Sequence, residues 1–386
     1  MSMATVYRTG RARSPPIDYG PRSSEVRMES VSFEAFWRDL DTPQGRQSHL
    51  QRQGRPFHVL RSRQFERETI ERLCETATAI RRLDRTPGGR PFLRGLLPGH
   101  RVLCLFAQPS TRTAESFVAA AEKLGATARV INDLRLSSFA KGETVEDAVR
   151  VLSSFYDTLV TRHPEDDFAA RAAWALSGSG RPIPVISGGS GTRQHPTQAL
   201  LDVYTLQRTF AERGGIDGKR VLLVGDIGRN RTARSLAHLL ARFDVRHIDV
   251  ACVAEHQPEP AFLEPFAARG VQIHHHSSLR AAIGSLGHQL DAIYMTRLQQ
   301  EWDGEGQPLG THPNFVLEPD FREQLRPDCA ILHPLPRVNE LPDTWEDHPG
   351  FVVWRQVRNG MWMRAALLAA IHGADDEIRH RAARML

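Results

Sequence analysis

Ser110, Thr111, Arg112 and Thr113 stand in a row between an apolar run, Val102–Phe106, and an amphipathic stretch, Glu115–Leu124. A strand running into a helix puts these three hydroxyls and one guanidinium at a helix N-terminus. There, unpaired N–H groups and the positive end of the macrodipole already favour anions. A helix cap needs one hydroxyl; three with an arginine make a phosphate cradle. In "RQHPTQALLD", His195 and Gln198 open a helix behind the glycine-rich "SGGSGT". A histidine so placed can act as donor or acid near neutral pH. "VGDIGRNRTARSL" carries Gly225 and Gly228 without the G-x-G-x-x-G spacing, and crowds Arg229, Arg231 and Arg234 at the next helix start. That pattern suits a small carboxylate or phosphate and opposes an NAD-dependent oxidoreductase. "YMTRLQQE" ends a strand near Arg297 and Gln299, and "ILHPLPRVNE" runs a strand into His333, Pro334, Leu335 and Pro336. The carbonyls of this rigid turn can accept a substrate N–H. "LSSFAKGETVEDA" sets Ser137, Ser138 and Lys141 in a loop; the chain is rich in arginine, and its only other lysines are Lys123 and Lys219.

Such residues act together only if strand ends converge. Apolar runs at Val102–Phe106, Ala128–Ile131, Thr158–Val160, Val185–Ile186, Val221–Val224, Asp249–Val253, Ala292–Met295 and Ala330–His333 read as strands. Helical periodicity fills the gaps, as at Phe65–Leu83, Thr144–Tyr156, Gln198–Phe210, Arg231–Arg242 and Met361–Ile371. Strands alternating with helices predict parallel sheets covered on both faces, and this many strands predict two doubly wound α/β domains. In such sheets ligands sit at the carboxyl ends of strands. Residues 1–55 are polar and arginine-rich, and read as a partly disordered N-terminal extension.

Composition removes several classes. Of 386 residues, 40% are hydrophobic and 25% charged, an ordinary globular balance. No apolar run approaches the ~18 residues of a membrane span. The N-terminal stretch has no apolar segment behind its basic residues, as a secretory signal requires, and Pro15–Pro16 breaks the amphipathic helix of a transit peptide. The net charge of +5 is spread along the chain without a basic block, so no nucleic-acid footprint is expected. Cys74, Cys104, Cys252 and Cys329 form no Cys-x-x-Cys pair, which excludes zinc ribbons and redox motifs and predicts buried, reduced thiols in a cytoplasmic protein.

The order "PSTRT", "SSFAKGET", "TRHP", "QHPTQALLD", "VGDIGRNRT", "MTRLQQE" and "LHPLPRVNE" resembles the aspartate carbamoyltransferase family across about residues 57–375. The resemblance implies two α/β domains with the active site in the cleft between them, a homotrimer or a dimer of trimers, no cofactor and no metal. It implies a carbamoyl-phosphate domain over 56–195 completed by a C-terminal helix 355–386, and an aspartate domain over 196–354. Ser110, Thr111, Arg112 and Thr113 would hold the phosphate of carbamoyl phosphate. Thr113, Arg162 and His195 would meet the carbonyl oxygen. Gln198, Pro334 and Leu335 would orient the carbamoyl amino group. Arg231, Arg297 and Gln299 would bind the carboxylates of L-aspartate, and Ser137 and Lys141 would reach a neighbouring subunit's site. The partners implied are those two small molecules and a regulatory or pathway enzyme; the process is pyrimidine synthesis.

The related ornithine enzymes carry Cys where this chain has Pro334, and an ornithine side chain asks for an acid rather than Arg231 and Arg297. Three positions depart from the family pattern: Gln108 replaces Glu, Ala114 replaces Arg, and Trp302 replaces Arg. Two other readings stay open at this point: a carbamoyltransferase with another amino-acid acceptor, and a non-catalytic homologue.

Overall fold

The computed structural model describes residues 31–132, 142–191, 193–253, 257–258, 260–297 and 312–385. The described chain enters through α1 (Phe33–Asp39) and α2 (Pro43–Leu50), followed by a hairpin of β1 (Gln51–Arg52) and β2 (Arg55–Pro56). Residues 31–55 of the expected extension thus carry two helices and a hairpin. Each helix is too short to display an apolar period, yet Ser32 and Thr42 cap them, and Phe36, Leu40 and Leu50 are fully buried. Trp174 ties the segment down by donating Nε1–H to the Val31 carbonyl at 3.0 Å.

The first half continues through α3 (Arg67–Leu83), α4 (Gly89–Arg94), β3 (Arg101–Phe106), α5 (Thr111–Lys123), β4 (Thr127–Ile131), α6 (Val145–Ser153), β5 (Thr158–His163), α7 (Phe168–Ser177), β6 (Val185–Ser190) and α8 (Pro196–Thr209). The second half holds β7 (Arg220–Val224), α9 (Arg231–Leu240), β8 (His247–Ala251), α10 (Pro260–Ala267), β9 (Gln272–His276), α11 (Leu279–Leu286), β10 (Ala292–Met295) and β11 (Ala330–Leu332). The chain ends in α12 (Val353–Ile371) and α13 (Asp375–Ala383).

Both sheets are parallel throughout. The first has the order β4-β3-β5-β6, with Leu103 opposite Arg129 on one side and Leu159 on the other. The second has the order β11-β10-β7-β8-β9, with Leu222 opposite Ile293 and Asp249. Central strands buried on both faces explain the continuous apolar runs: Val102–Phe106 and Val221–Val224 are buried at every residue. β9 was not anticipated, because "QIHHH" is half-exposed at a sheet edge and has no apolar run. β8 begins two residues before the expected start, at His247.

The expected terminal helix over 355–386 is two helices. Gly373 adopts φ +73°, which ends the first, and Asp375, Asp376 and Glu377 supply acids to the first turn of the second. α12 packs on α3, α5 and α8, so the chain leaves the second sheet to cover the first. The expected division at 195/196 falls at the start of α8, which packs against β6, α9 and α12. One apolar cluster therefore runs through both halves, from Leu73, Val102 and Phe117 through Leu200 and Tyr204 to Leu223, Leu236 and Leu367.

Strand order fixes where a ligand can sit. In the first sheet, winding reverses between β3 and β5; in the second, it reverses between β7 and β10. A crevice opens beyond the carboxyl ends of strands at such a switch point.

Candidate active site

Both switch points open into one cavity of about 930 Å³. The β3–α5 junction contributes Ser110, Thr111, Arg112 and Thr113, and the end of β5 contributes Arg162. His195 and Gln198 come from the start of α8, Arg231 from the start of α9, Arg297 from the residues after β10, and Pro334 and Leu335 from the turn after β11. Eleven residues singled out from the sequence thus line a single space. Ser137, Lys141 and Gln299, together with Trp302, lie outside the described residues.

At the head of α5, Ser110 makes no side-chain cap to the backbone; its Oγ donates to Thr113 Oγ1 at 3.1 Å. The hydroxyls are engaged with each other rather than consumed in stopping the helix. Gln108 lines the same wall, and its backbone N–H reaches the Arg162 carbonyl at 3.3 Å, tying the two switch-point loops together.

Arg162 donates Nη1 to the Gly188 carbonyl at 3.1 Å. Burial, then the neighbouring Arg231 and Arg112, hold its pKa down to about 9. Gly189 makes room for it: φ is +114°, and a Cβ there would stand 2.8 Å from Arg162 Nη1. His195 is the N-cap of α8, followed by Pro196, and its N–H is fixed by Ser235 Oγ at 2.9 Å. The ring is 5% exposed, and its Nδ1 has no hydrogen-bond partner among the described residues. Burial comes first, then Arg162, Arg231, Arg364 and Arg112, in pushing its pKa well below the ordinary imidazole range, so the ring is neutral near pH 7. A neutral imidazole offers one N–H without adding charge.

On the other wall, Asn230 caps α9 by accepting from Thr232 and Ala233 N–H at 3.0 and 3.1 Å. This sets Arg231 in the first turn, where its guanidinium donates to the Gly191 carbonyl. Arg112 is held below its usual range by burial and by Arg297. Arg112, Arg162, Arg231, Arg297 and Arg364 face the cavity against one carboxylate, Glu115, among the described lining residues. A space so charged is built for anions.

The turn after β11 is held in an unusual shape. Leu335 has φ +58°, which is costly for a residue with a branched side chain, and the Leu335–Pro336 bond is cis. His333 enforces it: Nδ1 accepts from the Leu335 N–H at 2.8 Å, so Nε2 carries the proton and donates to Glu340 Oε1 at 2.9 Å. Its own N–H donates to Gln356 Oε1 at 3.0 Å.

Several functional neighbours were missed in the sequence. Asp202, fully buried, accepts from Gln198 Nε2 at 2.9 Å, Gln356 Nε2 at 2.6 Å and the Tyr294 hydroxyl at 2.8 Å. Burial raises its pKa to about 7 against those three donors. With one N–H given to Asp202, Gln198 keeps its amide oxygen for a ligand N–H. Arg364 of α12 is 3% exposed, lies 5.1 Å over the Phe117 ring, and lines the cavity. Asp202 stands four residues after Gln198 on one helix face, a sequence signal that was available; Gln356 and Arg364 reach the site only through tertiary packing. Cys74, Cys104, Cys252 and Cys329 are all buried free thiols, as expected.

Two parallel-sheet α/β halves joined over one cationic cavity define a two-domain protein whose cavity is suited to small anions. The comparisons with known proteins give the family. Residues 58–208 match the carbamoyl-P binding domain of aspartate/ornithine carbamoyltransferases, and residues 217–371 match the Asp/Orn binding domain. The chain belongs to the aspartate/ornithine carbamoyltransferase family. The boundary between the two matches falls after α8 rather than before it. Among relatives, aspartate carbamoyltransferase 1 (chloroplastic) of Pisum sativum is 35% identical over 81% of this chain and 78% of its own. The aspartate carbamoyltransferase catalytic subunit of Saccharophagus degradans is 33% identical over 83% of this chain and 94% of its own. Among solved structures, aspartate transcarbamoylase from Trypanosoma cruzi in complex with carbamoyl phosphate and aspartate aligns with TM-score 0.71 at 33% identity, covering 82% and 96% of the two chains. The catalytic subunit of M. jannaschii aspartate transcarbamoylase aligns with TM-score 0.71 at 32% identity, covering 81% and 97%.

Proposed function

We propose that this chain transfers the carbamoyl group of carbamoyl phosphate to the α-amino group of L-aspartate, giving N-carbamoyl-L-aspartate and phosphate for pyrimidine synthesis. One observation carries the reading: five arginines and the head of α5 converge where the two family domains meet. Carbamoyl phosphate and aspartate together bring two anionic ends, a phosphate and a dicarboxylate.

Ser110, Thr111, Arg112 and Thr113 hold the phosphate. Thr113, Arg162 and His195 surround the carbonyl oxygen, Gln198 and the Pro334 and Leu335 carbonyls orient the amino group, and Arg231 and Arg297, with Gln299, take the carboxylates of aspartate. The aspartate amine attacks the carbonyl carbon and forms the C–N bond. Charge collects on the oxygen, where the Arg162 guanidinium and the neutral His195 N–H meet it; preorganised donors in a dry site typically contribute about 3–4 kcal/mol each. The bond to phosphate then breaks, and the departing phosphate accepts the amine proton. Holding both substrates in line supplies much of the remaining acceleration.

Aspartate is favoured over ornithine because Arg231 and Arg297 line the acceptor wall, and Pro334 stands where the ornithine enzymes carry Cys. The named relatives act on aspartate. Assembly as a homotrimer, or a dimer of trimers, is part of the same reading. It is supported by Val151 and Phe155, apolar and more than half exposed at the α6 end, and it gives Ser137 and Lys141 their role in a neighbour's site. A regulatory or pathway-enzyme partner also fits, since a multifunctional protein of Saccharomyces cerevisiae is 33% identical over 88% of this chain. The cysteine pattern supports a cytoplasmic location.

The test is an acceptor panel with carbamoyl phosphate, assayed for carbamoylated product. Turnover on aspartate at least a hundredfold above ornithine is expected. Turnover on another amino acid alone would replace this acceptor assignment.

A further inference from the structure

Under the proposed function, three acceptors take the carbamoyl amino group: the Gln198 amide oxygen and the Pro334 and Leu335 carbonyls. They come from two elements far apart in the chain, α8 and the turn after β11. All three trace back to one side chain. Asp202 stands one turn after Gln198 on α8 and is fully buried. Its Oδ1 accepts from Gln198 Nε2 at 2.9 Å and from Gln356 Nε2, on α12, at 2.6 Å. Its Oδ2 accepts from the hydroxyl of Tyr294, on β10, at 2.8 Å. Asp202 itself is not among the residues that line the cavity.

The polarity of this hub decides which way two amides face. An oxygen that only accepts draws the N–H groups of both Gln198 and Gln356 toward it and turns their oxygens away. The Gln198 oxygen is thereby left to the cavity that Gln198 lines. The Gln356 oxygen accepts from the His333 N–H at 3.0 Å, which fixes the residue directly before Pro334. The His333 ring in turn accepts from the Leu335 N–H at 2.8 Å, where the backbone has φ +58°. The line from Oδ1 through Gln356 and His333 to the two turn carbonyls is unbroken. With either amide reversed, an N–H would point where an oxygen is needed. A proton on Asp202 belongs on Oδ2, because Oδ1 faces two donors and a tyrosine hydroxyl can also accept. Oδ1 is therefore an acceptor in both charge states.

We propose that Asp202 is a positioning residue that sets the acyl-group specificity of the site: through Gln198 and Gln356 it keeps three acceptors facing the substituent on the carbonyl carbon, and so selects an amino group over a methyl group. The inference rests on the carbamoyl-transfer reading above. A methyl group leaves those acceptors without donors once the ligand has excluded water. A site built to hydrogen-bond a substrate N–H rejects the analogue that lacks it far more strongly than an apolar pocket rejects a small change of shape. The role also gives a reason for a carboxyl group at a fully buried position, where an acid is costly to keep.

The test is calorimetric titration of the purified full chain with phosphonoacetamide and acetonylphosphonate. Both resist hydrolysis, and they differ only in carrying an amino or a methyl group on the carbonyl carbon. The parent should bind phosphonoacetamide at least about a hundredfold more tightly. Asp202→Leu removes the acceptor at similar volume and should cut that ratio at least about tenfold, mainly by weakening phosphonoacetamide. Asp202→Asn retains an acceptor at Oδ1 and should hold the ratio within about threefold of the parent. Gln356→Leu severs only the branch to the turn and should cut the ratio at least about threefold. A purely structural role for Asp202 would weaken both probes alike. Circular dichroism identifies a variant that fails to fold; if Asp202→Leu is lost, Gln356→Leu decides. An unchanged ratio in a folded Leu variant, or as large a loss in Asp202→Asn as in Asp202→Leu, overturns the proposal. A parent that binds both probes equally overturns it and leaves the phosphate cradle standing. A parent that binds neither overturns the carbamoyl-transfer reading, and the proposal with it.

Discussion

Asp202→Asn isolates the most consequential group beneath the site. Asp202 is fully buried and accepts three hydrogen bonds, yet burial wins and lifts its pKa from 3.8 to about 7. A carboxyl with a raised folded-state pKa contributes full stability below about pH 4. That contribution is lost as the pH rises through about 7, because the folded chain must then give up a proton that the unfolded chain has already released. The total is about 4 kcal/mol at about 1.4 kcal/mol per pH unit. Between pH 5 and pH 8 the loss is about 2.5 kcal/mol on the same arithmetic. Asparagine keeps an acceptor for Gln198 and Gln356 and cannot ionise, and the Tyr294 hydroxyl can turn to accept from its amide. Urea unfolding of both proteins at one protein concentration, at pH 5, 6, 7 and 8, measures the difference. The variant should gain on the parent by about 2.5 kcal/mol across that range, even if it starts lower at pH 5. A difference that stays constant within about 0.5 kcal/mol would show that Asp202 does not titrate there, and would refute the argument that burial outweighs its three donors.

Arg162→Ala should lower kcat by about a hundredfold to a thousandfold with little change in unfolding midpoint, since it removes one donor from the developing oxyanion; steady-state kinetics and thermal denaturation check it together. Glu340→Gln should cost about 1.5–3 kcal/mol, the range for a hydrogen bond to a charged group, and raise the KM for carbamoyl phosphate by releasing His333 and the Leu335 turn. His58 and His372 are buried with pKa values depressed to about 3 from 6.5, by burial first. Their stabilisation is present above about pH 6.5 and is lost as the pH falls toward 3, by up to about 1.4 kcal/mol per pH unit for each; His372→Gln should make the acid limb of a stability–pH curve measurably shallower.

The strands at the switch points were legible because parallel strands buried on both faces leave uninterrupted apolar runs, as in Val102–Phe106 and Ala292–Met295. The cavity residues were legible because helix starts carry more hydroxyl and arginine groups than capping requires. β9 was hidden because three histidines at a sheet edge give no apolar signal. The start of α12 was hidden for a different reason. Gln356, Asn359 and Gly360 read as a polar interruption, yet all three are buried. Gln356 spends its amide on Asp202, and Asn359 accepts from Arg208 at 3.0 Å while donating to Thr205 Oγ1 at 2.9 Å. Polar groups satisfied across 150 or so residues of chain leave no local pattern.

The most direct measurement is carbamoyl-phosphate-dependent formation of N-carbamoyl-L-aspartate by the purified chain, beside Arg297→Ala. The account predicts robust turnover by the parent. In the variant, kcat/KM for aspartate should fall by about 2–5 kcal/mol in transition-state binding, with carbamoyl phosphate affinity nearly unchanged. No product from the parent, or undiminished turnover by Arg297→Ala, would contradict the claim that this cavity clamps aspartate for carbamoyl transfer.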